Sequence, residues 1–260
     1  MALTYMSYLK VDELLALQQP LSEGPEHDEL LFIIIHQVYE LWFKQVLHEL
    51  DHLQSGLESN NEPQSLQALK RIRTILKTMV SQVDILETMT PIQFESFRHR
   101  LEASSGFQSA QFRAFEITLG KRTETALGAH QPGSPARAML EERLLKDTVY
   151  QSFLKFLKQR GYDIPDDALE PLGMASTKAH PAIQEVLLDI YRTKPSLSQV
   201  CELLVDLDEG VQEWRYRHVK MVERTIGAKI GTGGSSGAEY LRKTLFAPLF
   251  PDLWLIRSEF

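Results

Sequence analysis

Residues 48–52 read HELDH, a match to the H-E-x-x-H pattern in which two histidines on one helical face hold zinc while the glutamate activates water. Such a site also needs a third protein ligand, an open metal position and a cleft. At about 100° per residue, His48 and His52 fall on a different face from the apolar stripe Phe32, His36, Phe43, Leu47 and Leu50, and no G-x-x-H follows. The spacing predicts a polar helix face, not a zinc hydrolase.

His36 lies on the apolar stripe itself, one turn after Phe32. A histidine there is either a hydrogen-bonded core residue or a ligand or catalyst. His218 has a sharper context, because Leu207, Val211, Trp214, His218, Met221 and Thr225 recur at helical seam spacing, so an imidazole stands where an apolar residue belongs. Two buried histidines on two long helices of one bundle meet the requirement of a haem pocket. Arg98, four residues after Phe94 on one face, has the planar fork that holds a carboxylate, or else makes a surface ion pair. The run GTGGSSG at 231–237 follows a helix, lacks the third glycine of a dinucleotide fingerprint and the Gly-Lys-Ser/Thr of a P-loop, and so reads as a flexible loop over a small polar ligand or a mobile connector.

The elements that must position these residues are helical. A helix is predicted from Asp28 to Ser55 with Gly56 as its stop. A second opens at Pro63 and carries the seam Leu69, Ile72, Leu76, Met79, Val83, Leu86. Thr90, Pro91 and Gln93 form a capping-box start for a third, which ends near Ser104-Ser105-Gly106. Further helices are read over 136–159, 181–192 and 196–226, with an exposed loop at 120–135, an irregular connection at 161–178, and a short C-terminal helix. The expectation is one all-α domain over 1–260, a bundle of long helices with shorter connecting ones.

Composition fits a globular chain: 43% of the 260 residues are hydrophobic and 24% charged. A net charge of −7 argues against nucleic-acid or anionic-membrane surfaces. The single Cys201 cannot form an internal disulfide, and the apolar run LLFIIIH is too short to span a bilayer, so a cytoplasmic protein is expected.

The stretches LTYMSYL, HDELLFIIIHQVYELWFKQVLHELD, SSGFQSAQFR, WRYRHVKMVERTIG and GTGGSSG together resemble the tryptophan 2,3-dioxygenase family over nearly the whole chain. The resemblance implies an all-helical subunit enclosing a b-type haem, a cytoplasmic homotetramer, and opening of the indole ring of L-tryptophan by O₂ to N-formylkynurenine, the first step of tryptophan catabolism. Matched position by position, His218 is the proximal iron ligand and His36 the distal histidine near the indole N–H. Phe32 and Phe94 line the indole pocket, with Phe94 standing where some bacterial members carry tyrosine. Arg98 holds the substrate carboxylate, and Thr232, in the 228–237 glycine-rich loop, meets the ammonium and carboxylate end. Ser105, Gly106 and Trp214 fall beside the haem, while Tyr5, Tyr8 and Leu9, in the 1–20 segment, complete a neighbouring subunit's pocket. His48 and His52 match no functional position. The rivals are a paralogue acting on a substituted tryptophan or other indole, and a haem-binding sensor or carrier without turnover. Arg98 and the glycine loop favour an amino-acid substrate over the sensor.

Overall fold

The computed structural model describes residues 2–24, 26–102, 104–229, 231, 241–242 and 245–260, and among these it is all-helical. Two short helices, α1 (Tyr5–Leu9) and α2 (Val11–Leu15), bury no residue. They lead to α3 (His27–Glu58), whose first turn carries Asp28 and Glu29 against the positive end of the helix dipole. The buried Glu29 also caps the incoming chain, accepting from the Leu21 and Ser22 amides at 2.7 and 3.0 Å.

α3 does not stop at Gly56, as the sequence suggested. Gly56 is buried within it, and a Cβ there would lie 2.9 Å from Ser65 Oγ, so the missing side chain serves close approach of the next helix, not termination. The turn is made by Asn60, in the left-handed region, and by Asn61, whose side chain accepts from the Gln64 amide and opens α4 (Glu62–Leu86). The predicted seam Leu69, Ile72, Leu76, Met79, Val83 and Leu86 is buried along its whole length. At about 1.5 to 3 kcal/mol for each large apolar side chain fully buried, this seam is a major stabiliser of the bundle.

Thr90 and Gln93 form the expected reciprocal capping box at the start of α5 (Pro91–Arg98). The helix ends at Arg98, earlier than predicted, in a 3₁₀ turn (His99–Leu101) followed by Glu102 at φ 46°. Next come α6 (Ala110–Thr118), α7 (Glu124–Gly128), α8 (Pro135–Leu144) and α9 (Val149–Gln159). The helix predicted over 136–159 is thus two helices. Its apolar period concealed a further capping box, Thr148 with Gln151, that restarts the chain. The segment 120–135, read as an exposed loop, contains α7 and buries Arg122, Ala126 and His130. Arg122 donates to the carbonyls of Ile117, Leu144, Lys146 and Gly173, an anchor that carries no hydrophobic period.

α10 (Pro181–Thr193) and the long α11 (Pro195–Ile226) follow, then α12 (Pro251–Leu255). α4 packs between α3 and α11, while α5, α6 and α9 pack on α3. By length and composition α3 is apolar enough to cross a bilayer. In this fold its buried residues lie mostly in its C-terminal half, from Phe43 onward, where the buried Glu49 pairs with Arg71 at 3.0 Å.

A buried carboxylate of α11 holds the C-terminal tail, beside the more exposed pair Glu202–Arg257 at 2.8 Å. Asp208, fully buried, accepts from the Leu249 and Phe250 amides at 2.8 and 3.1 Å, from Trp254 Nε1 at 2.9 Å and from Gln212 at 3.0 Å. Asp208→Ala leaves these donors without their acceptor. It is expected to cost about 3 to 5 kcal/mol, lowering the thermal midpoint by roughly 6 to 20 °C in a chain of this size. A calorimetric shift below about 2 °C would show that the Asp208 contacts do not hold the tail.

Candidate active site

His36, Tyr39, Glu40 and Phe43 of α3, Phe94 and Arg98 of α5, Phe112, Arg113 and Glu116 of α6, and Trp214, Arg215 and His218 of α11 line one cavity of about 240 Å³. Ser105 and Gly106 from the α5–α6 connection, and Gly231 beyond α11, reach the same space. Val83 and Leu86 of α4 line it as well, so among the described residues the consecutive helices α3 to α6 and the distant α11 meet at it.

His36 Nδ1 lies 2.7 Å from the Phe32 carbonyl oxygen. A carbonyl only accepts, so Nδ1 carries the proton and Nε2 keeps its lone pair as an acceptor. Burial pushes this imidazole below its ordinary pKa, against the Phe32 bond and the Glu40 charge, so the ring is neutral near pH 7. Phe32 packs 4.1 Å from it, centroid to centroid, and stands 5.7 Å from Phe94 and 5.6 Å from Phe97. Phe32 thus backs the wall that Phe94 and His36 present, without lining the cavity itself.

His218 is pushed down to about 4 by burial first, then by His36 and Arg113. Trp214, one turn earlier, stacks on it at 5.1 Å and 11°, and Phe112 supports the indole at 4.9 Å. A neutral imidazole of this kind suits metal ligation. Among the described residues no group of three or more His, Cys, Asp or Glu side chains could hold a metal ion. A metal that brings its own remaining ligands, as a macrocycle does, is compatible with this set of donors at His218. Gly106 fits such a flat group: a Cβ there would meet no protein atom within 4 Å.

One side-chain cluster was not foreseen. Glu116, buried between Arg113 (2.6 Å), Lys121 (2.9 Å) and Arg215 (3.2 Å), is one anion among three cations. Burial works to raise its pKa, but the three cations outweigh it and hold the carboxyl below its usual range. The cluster keeps two positive charges in excess. Arg215, 3% exposed, has Nε and Nη1 without a protein partner, and Arg113 Nε is likewise unpartnered. Buried donors without acceptors beside a cavity call for an anionic occupant. The sequence did carry a signal, since Arg113 and Glu116 interrupt the apolar run from Phe112 to Ile117.

Arg98 lines the cavity with its side chain largely buried, 3.6 Å from Glu95. Tyr5, Tyr8 and Leu9 do not join this chain's cavity; they sit on α1, exposed by 73, 70 and 46%. Thr232 lies outside the described residues, as does most of the glycine-rich stretch. His48 and His52 are exposed, whereas Glu49 between them is buried and bonded to Arg71 and Gln45, so the zinc pattern is dismantled by packing.

A family model described as tryptophan 2,3-dioxygenase matches residues 1–148 and 166–260. A tryptophan 2,3-dioxygenase of Herpetosiphon aurantiacus is 57% identical over 258 residues, covering 99% of this chain and 98% of the relative. One from Anaeromyxobacter sp. strain K is 57% identical over 257 residues, covering 99% and 96%. One from Caulobacter vibrioides is 41% identical over 260 residues, covering 99% and 98%.

The Glu116 cluster generates a pH prediction. Its folded carboxyl titrates below the ordinary 4.5, so its stabilisation is complete at neutral pH and is lost as pH falls through 4.5 and below. Glu116→Gln should cost about 3 to 5 kcal/mol at pH 7, because it strands two buried arginines and a partly buried lysine. Urea unfolding across this range should show a shallower acid limb for the variant than for the parent. Equal slopes, or a loss under about 1 kcal/mol at pH 7, would remove Glu116 from this role.

Proposed function

The chain belongs to the tryptophan 2,3-dioxygenase family, and from that membership we propose that it opens the indole ring of L-tryptophan with O₂ to give N-formylkynurenine, using a b-type haem held by His218. The observation that carries this reading is a single aromatic cavity holding two neutral imidazoles from different helices beside a buried cluster with two positive charges in excess. The two carboxylates of a b-type haem would balance that excess and give Arg113 and Arg215 their missing acceptors. Trp214 would fix the plane of the His218 ring, and Ser105 and Gly106 would lie along the macrocycle. When bound, the haem supplies a ferrous centre that makes O₂ reactive toward a closed-shell indole.

The protein's own share is orientation. Arg98 presents its fork to the substrate carboxylate, and Phe94, backed by Phe32, provides an apolar surface for the indole. His36 Nε2, an acceptor because Nδ1 is committed to Phe32, takes the indole N–H. Holding the amino-acid end and the ring nitrogen together fixes which face of the C2–C3 bond meets oxygen, so binding far from the reacting bond becomes rate. Both oxygen atoms end in the product as that bond breaks, and no further reductant is consumed.

The chain is read as one domain, 1–260, acting in the cytoplasm as a homotetramer with exchanged N-terminal segments. Support for assembly comes from Leu3, Tyr5, Met6 and Tyr8 in the first segment and Leu30, Ile34 and Leu41 on α3, all large apolar residues left exposed.

Reduced protein given L-tryptophan and ¹⁸O₂ should yield formylkynurenine carrying both labels. His218→Ala should lose the Soret band; retention of haem at parental affinity would move the ligand elsewhere. For the assembly, a variant lacking residues 1–9 and an Arg98→Ala variant should each be nearly inactive, and co-expression should restore part of the activity in mixed oligomers. No recovery in verified mixed oligomers would exclude shared sites.

A further inference from the structure

Glu40 lies on α3 one turn after His36, and the four-residue spacing puts both side chains on one face of the helix, where both line the cavity. Its carboxylate is held in place. Gln111, near the start of α6, donates through Nε2 to Glu40 Oε2 at 2.8 Å and to the Glu40 backbone carbonyl at 2.8 Å, so one neutral amide clamps the side chain and the backbone of the same residue. Among the described residues Glu40 has no ion-pair partner. The other charged groups of the cavity stand on facing elements: Arg98 on α5, paired with Glu95; Arg113 and Glu116 on α6 with Lys121 just beyond; and Arg215 on α11, beside the neutral His218. These facing walls are net positive. Glu40 is an unpaired negative charge on the His36 side.

We propose that Glu40 is a positioning residue for the indole N–H: clamped by Gln111, its carboxylate places a negative potential beside the His36 ring and strengthens Nε2 as the hydrogen-bond acceptor. The proposal rests on the reading of His36 given above. The Phe32 carbonyl settles which nitrogen accepts, and Glu40 settles how strongly. Positive charge around the cavity draws electron density away from Nε2, and a carboxylate one turn away opposes it. In a site shielded from bulk water such a charge acts more strongly than it would at the surface. Desolvation lowers the His36 pKa, and the Phe32 bond and the Glu40 charge both work against it. The clamp matters because a flexible glutamate without a partner would carry its charge out to solvent, where water and salt screen it.

The test is a double-mutant cycle on the haem-loaded ferrous enzyme without O₂, titrating L-tryptophan and benzothienylalanine, whose ring carries sulfur in place of the N–H, and following the haem band. Glu40→Gln keeps the length of the side chain and an oxygen that accepts from Gln111, so it removes the charge and little else. It should weaken tryptophan binding roughly two- to fivefold, part of the strength of one hydrogen bond. It should leave benzothienylalanine binding unchanged. His36→Ala should abolish the preference for the N–H ligand, and in that background Glu40→Gln should carry no further penalty. A penalty that persists without His36, an equal penalty for both ligands, or none at all would overturn the proposal. His36→Ala by itself separates the two layers. If it keeps the preference for tryptophan, the acceptor role of His36 falls and that of Glu40 with it; if it loses the preference while Glu40→Gln does not weaken tryptophan, only the Glu40 role falls.

Discussion

The packing of α4 between α3 and α11 is the constraint on which the site depends. His36 and His218 sit on the two outer helices, so their relation is set by a seam that contains neither of them. Tyr39 shows the coupling directly: its hydroxyl donates to the Met79 carbonyl of α4 at 2.8 Å while its ring meets Trp214 of α11 at 6.4 Å. Gly56 allows α3 and α4 to approach at the other end. Close-packed side chains do not deform continuously, so a volume change in the α4 seam would reach both imidazoles.

The cavity combines two electrostatic environments that water would erase. Around His36 and His218 the walls are aromatic, and desolvation lowers the pKa of both rings, His36 facing the open cavity. Around Glu116 three cations are gathered, which stabilises the carboxylate and leaves a surplus of positive charge. Neutral nitrogen donors and acceptors on one hand, and fixed charge on the other, are separate requirements of a site that holds a metal macrocycle with anionic substituents. Neither follows from the other, yet α11 contributes to both within one turn through Trp214, Arg215 and His218.

Short polar devices decide where helices break. Thr148 with Gln151 splits what looks like one helix, and Asp208 and Asp252 fasten the tail, the latter accepting from Tyr150 Oη at 2.8 Å and from the His180 amide at 2.7 Å. Arg122 fills the same role for the 120–135 region through four carbonyls. Each satisfies backbone groups that burial would otherwise leave without partners.

From sequence alone the helical class, the α4 seam, the α5 capping box and the two seam histidines were legible, because helical periodicity and cap chemistry are local. The long motifs also identified the family and the position of Arg98. Only tertiary structure decided that Gly56 is a contact and not a stop, that Glu49 belongs to Arg71, and that Arg113, Glu116, Lys121 and Arg215 converge on one cavity wall. The reason is distance along the chain: Glu116 and Arg215 meet at 3.2 Å although 99 residues separate them. No local pattern encodes that meeting, since it arises where α6 and α11 enclose the same space.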